Sequence, residues 1–389
     1  MKISLYLKIG FETSHNMPAS KSPLIKITAY FIFSLFFLAV IVLVMETVFR
    51  FMPVYNREWM DYNKHTIWRI KANNSGKHWT QDHADFYQVC NREGFNDINH
   101  SYEKRNGVKR IMILGDSYTG GYDYPIPETF CGVVQSLLNG HGKGEYEVMN
   151  CATPAWSTEQ QYSYFIHEGI KYKPDYVLMV VAPNDIRETF TRHILQIEGD
   201  SVSPWLRYPM LKSEKLTWRL CVHSSFAQWM RKNKMLPNAV CDEMFWKYFC
   251  CGFTDVDTIY GWEEPLFFKE APGSVQQANA RFSTLLSALD KRCAEANAKL
   301  LVSIIPTKQE FDGSLSDTSK YEPGKVCRWL ADECEKKEIP FCPTFNEARN
   351  LPKSLDLYQY WEWHLNPEGH KFMGNVLSKF LEKETATAN

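Results

Sequence analysis

The chain has 389 residues, of which 44% are hydrophobic and 23% charged, enough apolar material for one large domain or two ordinary ones. Lysine and arginine (44) nearly balance aspartate and glutamate (45), for a formal net charge of -1. That balance argues against nucleic-acid partners and polyanionic substrates, and the sequence has neither a basic stripe with interleaved aromatics nor a phosphate-cradling Walker pattern.

From Ile27 to Met45 the sequence is apolar and carries no charge. Such a run can cross a hydrocarbon core of about 30 Å. The apolar region of a cleavable signal peptide is usually about 7–15 residues and ends at a small-residue cleavage site. This run is longer, and Met-Glu-Thr-Val-Phe-Arg at 45–50 offers no such site. The reading is therefore a transmembrane signal anchor over 27–49, preceded by a cytoplasmic segment, 1–26. Lys2, Lys8, Lys21 and Lys26 precede the span against one acid, Glu12, whereas Arg50 and Arg57 follow it together with Glu46 and Glu58. This bias predicts a single-pass protein whose N-terminus is cytoplasmic and whose larger part is extracytoplasmic, in a bacterial periplasm. Glu46 and Arg50 stand at the spacing of a helical ion pair.

Residues 50–105 read as a polar, aromatic lead-in, with a turn at 91–96. From 106 to 389 strands and helices alternate. Strands are expected at 110–114, 147–150, 175–181, 300–305 and near 339–342. Helices are expected at 128–138, 158–171, 274–297, 321–337 and from 367 to about 384. Such alternation implies an α/β fold, a parallel sheet covered by helices on both faces. Residues 187–270 interrupt it. They are too many for a plain loop, so they should carry structure of their own, including a helical patch at 216–235. They read as a cap over a site, or as an insertion packed beside the sheet or lying on the membrane.

Two stretches carry chemistry. Gly115-Asp116-Ser117-Tyr118-Thr119-Gly120-Gly121 follows the first apolar strand. A serine in a glycine-rich turn at a strand's end can present its hydroxyl at the rim of an α/β sheet. Near the other end, Glu362 and His364 precede Asn366, Pro367 and Glu368, which suit the N-cap and first turn of a helix. Serine, histidine and a carboxylate are the minimum set for nucleophilic acyl transfer.

Together these stretches resemble the SGNH (GDSL-type) esterase/lipase superfamily over about 90–385. Its first block, G-D-S-x-x-x-G, is matched by Gly115, Asp116, Ser117 and Gly121. Its second block supplies a backbone N–H about five residues after a strand-ending asparagine, and Ala155 stands at that place after Asn150. Its third, G-x-N-D, is half matched by Asn184 and Asp185, with Ala182 for the glycine. Its last has a carboxylate two or three residues before a histidine, here Glu362 and His364. The resemblance implies a three-layer sandwich with a flavodoxin-like parallel sheet. It also implies Ser117 as nucleophile, His364 as base, Glu362 as its orienting acid, and an oxyanion hole from the N–H groups of Ser117 and Ala155 and the Asn184 amide. A position requiring positive φ would penalise Ala155.

Asp116 and Asp185 read as braces of their loops, His370 as a packing histidine, and Asp356 as a fallback for Glu362. No cofactor and no metal are expected. Eleven cysteines, an odd number, leave at least one unpaired in any compartment, and no C-x-x-C spacing occurs. Cys151 reads as a small core residue. Three functions remain open. One is a membrane-anchored esterase acting on an acyl or acetyl ester of a small molecule, glycan or lipid. The second is an O-acyltransferase acting on an envelope polysaccharide. The third is an inactive glycan-binding or scaffold module.

Overall fold

The computed structural model describes residues 23–51, 60–78, 86–140, 145–207, 224–232, 263–359 and 363–386. Two compact units divide the chain, Met1–Tyr55 and Asn56–Asn389.

In the first unit one helix runs Pro23–Phe51, about a turn longer at its N-terminal end than the sequence suggests. Proline suits a first helical position because its missing N–H would be unsatisfied there anyway. The 29 residues reach about 43 Å at 1.5 Å each, more than a bilayer's apolar core. The helix is long and apolar enough to cross a membrane, with a mean hydropathy of 2.8 in its most apolar window. Arg50 Nε meets Glu46 Oε1 at 2.9 Å, the ion pair expected from their spacing.

In the second unit two antiparallel strand pairs come first. β1 (Met60–Asn63) pairs with β2 (Ile67–Ile70), and β3 (Ser75–His78) with β4 (Phe86–Val89). The sheet then begins with β5 (Val108–Gly115), β6 (Glu145–Ala152) and β7 (Tyr176–Val181). After an antiparallel pair, β8 (Leu195–Glu198) and β9 (Ser201–Leu206), it is completed by β10 (Lys299–Ile304) and β11 (Phe341–Cys342). Across the sheet the order is β11-β10-β7-β5-β6, and every pairing is parallel. This is the flavodoxin-like winding. Its connections change direction between β5 and β7, which opens a crevice at their carboxyl ends.

Strand periodicity divides the core in two. Ile111, Ile113, Leu178, Val180 and Leu301 point to one face, with Val134 and Leu138 of the helix Phe130–Gly140 and Met373 and Leu377 of the helix Pro367–Ala386. Their neighbours Met112, Leu114, Val177, Met179 and Val302 point to the other, with Phe165, Phe282 and Leu289. Both faces of every central strand are thus buried, as a parallel sheet requires. Each such side chain contributes roughly 1.5–3 kcal/mol by leaving water.

The strand pair at 60–70 belongs to this same unit, and Ile67, Trp68 and Ile70 are buried. The expected turn at 91–96 is present. Asn91 Oδ1 accepts from the N–H groups of Glu93 and Phe95, and Gly94 has φ +86. A Cβ at Gly94 would stand 2.1 Å from the Ile70 carbonyl oxygen, so only glycine fits. The lead-in is also tied to the sheet by charge. His100 lies 2.6 Å from Glu147 and 3.0 Å from Asp97. Burial alone would lower its pKa, but hydrogen bonds to the two carboxylates override that and push it up to about 9.

Two helices are shorter than their sequence patterns. The one starting at Thr158 ends at His167 and gives way to a 3₁₀ turn, Gly169–Tyr172. A Cβ at Gly169 would come within 3.0 Å of Met112, so the glycine lets the chain close on β5. The helix expected from 321 begins at Lys325, because Gly324 at φ +76 takes a left-handed conformation that no helix interior allows. Within the expected insert, β8, β9 and a helix Ser225–Lys232 are described. Residues 208–223 and 233–262, including much of the patch at 216–235, lie outside the described residues. The seven described cysteines are buried and unpaired. Burial raises the Cys151 thiol, in keeping with a core role.

Candidate active site

Ser117 stands two residues beyond β5, at the crevice. Asp116 caps the single turn Ser117–Gly120 through the Tyr118 N–H at 2.9 Å. The turn ends at Gly121, whose φ is +57 and whose Cβ would meet Thr129 at 2.8 Å. Asn96 donates to the carbonyls of Gly120, Gly121 and Tyr124, so the lead-in also holds this loop.

His364 arrives from the far end of the chain. Tyr358 and Leu365 form an antiparallel bridge around it, and the Gln359 N–H donates to the His364 carbonyl at 2.9 Å. Asn366 Oδ1 accepts from the Gly369 N–H at 2.9 Å, the N-cap bond of the last helix. Held in this way, His364 Nε2 lies 2.8 Å from Ser117 Oγ across 247 residues of sequence. The Tyr118 ring stands beside the imidazole at 4.8 Å. Glu362 lies outside the described residues. The fallback, Asp356, is turned to solvent, with a side chain 64% exposed and 3.8 Å from Lys353. His370 is a packing residue. Its Nδ1 accepts from the Phe130 N–H at 3.3 Å, and burial, helped by the neighbouring His364, lowers its pKa to about 3.

The other two matched blocks end at the same cavity, a space of about 660 Å³ that Ser117, His364, Ala155 and Asn184 all line. Ala155 has φ +59, a conformation that costs a residue with a side chain about 1 kcal/mol. The penalty anticipated for this position is therefore real, and the structure accepts it. Among the described residues, no turn, loop or cap bond uses the N–H of Ser117 or of Ala155. Ala182, by contrast, has φ −103 and needs no glycine. Asn184 Nδ2 donates to Asp116 Oδ2 at 2.7 Å. Asp185 accepts from the Ala182 N–H at 2.9 Å and from Gln161 at 2.8 Å. Burial raises the Asp116 carboxyl against the Asn184 and Tyr118 donors, and burial with the nearby Asp116 charge raises Asp185 further.

Sequence reasoning missed a charged wall of this cavity. Arg187 and Glu188 follow Asn184 on the helix Pro183–Arg192, and Glu263 joins them from the end of the insert. Glu188 pairs with Arg192 at 2.7 Å and with Arg187 at 3.6 Å. Burial pushes the Glu263 carboxyl up to about 7, against the pull of Arg187. The i,i+4 spacing of Glu188 and Arg192 was a usable signal, but nothing local tied Glu263 to the site.

No protein-family model matches the sequence, and no curated protein matches it. Solved structures do. A lipase/acylhydrolase from Enterococcus faecalis is 11% identical, with a TM-score of 0.40 over 71% of this chain and 96% of its own. A catalytic mutant of an acetylxylan esterase from Geobacillus stearothermophilus is 11% identical, with a TM-score of 0.39 over 70% of this chain and 93% of its own. A GDSL-like lipase from Bacteroides thetaiotaomicron is 11% identical, with a TM-score of 0.37 over 71% and 89%.

Proposed function

We propose that this protein is a membrane-anchored serine esterase that cleaves a carboxylic ester through an acyl-enzyme. The observation that carries the proposal is the 2.8 Å contact between Ser117 Oγ and His364 Nε2 in a cavity large enough for a small ester. Ser117 attacks the carbonyl carbon while His364 takes the hydroxyl proton. The imidazolium then protonates the departing alcohol. A water, deprotonated by the same imidazole, attacks the acyl-enzyme and releases the acid. Glu362, two residues before the imidazole in sequence, is assigned the orienting role. The Ser117 and Ala155 N–H groups and the Asn184 amide receive the oxyanion, each such donor being worth about 3 kcal/mol of barrier. The acyl portion is an acetyl or longer acyl group, and the alcohol belongs to a small molecule, a glycan or a lipid.

A fluorophosphonate probe should label the wild-type protein at Ser117 and leave Ser117→Ala unlabelled. Absence of label from the folded wild-type protein would remove the activated serine and the esterase reading with it. The apolar helix and the charge bias around it support a catalytic unit outside the cytoplasm. A reporter fused after residue 389 tests this, and cytoplasmic signal there reverses the orientation.

A further inference from the structure

Residues 153–156 form a β-turn, closed by the Trp156 N–H donating to the Thr153 carbonyl at 3.1 Å. Pro154 occupies its second position with φ fixed near −65°. Ala155 occupies the third with φ +59. Those two values define a type II turn, which ordinarily has glycine or asparagine at the third position. Type I is the alternative open to Pro-Ala, and it spares alanine the positive φ. The two types differ mainly by a flip of the central peptide, here the unit made of the Pro154 C=O and the Ala155 N–H. Because the peptide is planar, the direction of that carbonyl fixes the opposite direction of the N–H.

The carbonyl is held from a distance. The indole N–H of Trp68, on β2, donates to it at 3.2 Å. Trp68 is fully buried, and the Trp156 indole donates back to the Trp68 carbonyl at 2.9 Å. On the other side, Arg192 donates to the Ala155 carbonyl, pairs with Glu188 at 2.7 Å, and stacks over the Trp68 ring at 5.4 Å. We infer that Trp68 is a positioning residue for catalysis: its indole N–H selects the type II flip of the Pro154–Ala155 peptide and so aims the Ala155 N–H at the oxyanion. The strand pair that follows the anchor is then part of the catalytic apparatus. This inference rests on the oxyanion role proposed for Ala155.

Trp68→Phe keeps an aromatic ring and removes the donor. It is expected to lower kcat for p-nitrophenyl acetate about tenfold with KM within about twofold, since the donor acts on the transition state. Inhibition by phenylboronic acid, whose tetrahedral adduct places an oxygen in the same hole, should weaken about tenfold as well. Adding Ala155→Gly to Trp68→Phe should recover at least about threefold of the loss, because glycine adopts the third position of a type II turn freely. Loss of fold would produce neither an unchanged KM nor a glycine rescue. Should Trp68→Phe not fold, benzothienylalanine at position 68 keeps the bicyclic shape without the N–H, and the same outcomes apply. Wild-type kcat and boronate affinity in the donor-free protein, or no rescue by glycine, overturns the inference. Ser117→Ala measured alongside separates the two levels. If Ser117→Ala is inactive and the position-68 variant is fully active, only the inference falls. If Ser117→Ala keeps full turnover, the esterase reading falls and carries the inference with it.

Discussion

Ser117→Ala is expected to lower kcat for p-nitrophenyl acetate by roughly 10⁴–10⁶-fold while leaving the protein folded. The hydroxyl's hydrogen bond is to His364 Nε2, at 2.8 Å, and Ser117 is half-buried. Losing it should therefore change stability by less than about 1 kcal/mol. His364→Ala should be about as severe, and the double variant little worse than either, because a nucleophile without its base and a base without its nucleophile are equally idle. His370 does not substitute. Its Nδ1 already accepts the Phe130 N–H, and its low pKa makes it a poor base at neutral pH. Steady-state kinetics of the three variants checks this, with thermal denaturation as the control for folding. Retention of a tenth or more of wild-type kcat by Ser117→Ala would assign the nucleophile elsewhere.

Local chemistry made much of this site legible in the sequence. An apolar run ending in Gly-Asp-Ser, and an Asn-Pro-Glu helix start after a histidine, are signals written within ten residues, and the structure forms the strand, turn and cap that they specify. The parallel sheet was legible because strands alternate with helical patterns, most clearly at the apolar runs 110–114 and 176–181. What the sequence hid depends on contacts between distant residues. The positive φ of Ala155 is invisible in an alanine, and the indole that holds its turn lies 86 residues away from Pro154. Asn96 gives no local sign that it holds three carbonyls after the nucleophile. Glu263 shares a cavity with Glu188 only because the insert returns to the sheet there. The two helices that fall short do so at Gly169, where one stops early, and at Gly324, where the other starts late, because packing or backbone conformation overrode an otherwise acceptable helical pattern.

Asn184→Ala is expected to lower kcat by about 10²–10³-fold with little change in KM. The amide nitrogen of Asn184 carries two hydrogens. One goes to Asp116 Oδ2 at 2.7 Å, and the proposed mechanism assigns the other to the oxyanion. A ground-state carbonyl gains less from such a donor than the charged intermediate does, which is why kcat should carry the loss. Stability should fall too, because fully buried Asp116 would keep the Tyr118 N–H but lose its side-chain donor, a cost of about 1–3 kcal/mol. Asn184→Asp tests the contact with Asp116 through its pH dependence. It preserves shape but sets a second carboxyl against the buried Asp116, so the pair resists full ionisation and at least one of its pKa values rises. The folded protein then binds more protons than the unfolded chain, and stability must fall as pH rises through the unfolded carboxylate range toward the raised value. Melting temperatures of Asn184→Asp should therefore drop from pH 5 to pH 8 relative to wild type, and those of Asn184→Ala, which loses a donor that holds the Asp116 pKa down but adds no second carboxyl, should drop in the same direction by less. If Asn184→Ala keeps kcat within threefold while losing stability, Asn184 braces Asp116 and nothing more, and the oxyanion would rest on the two backbone N–H groups.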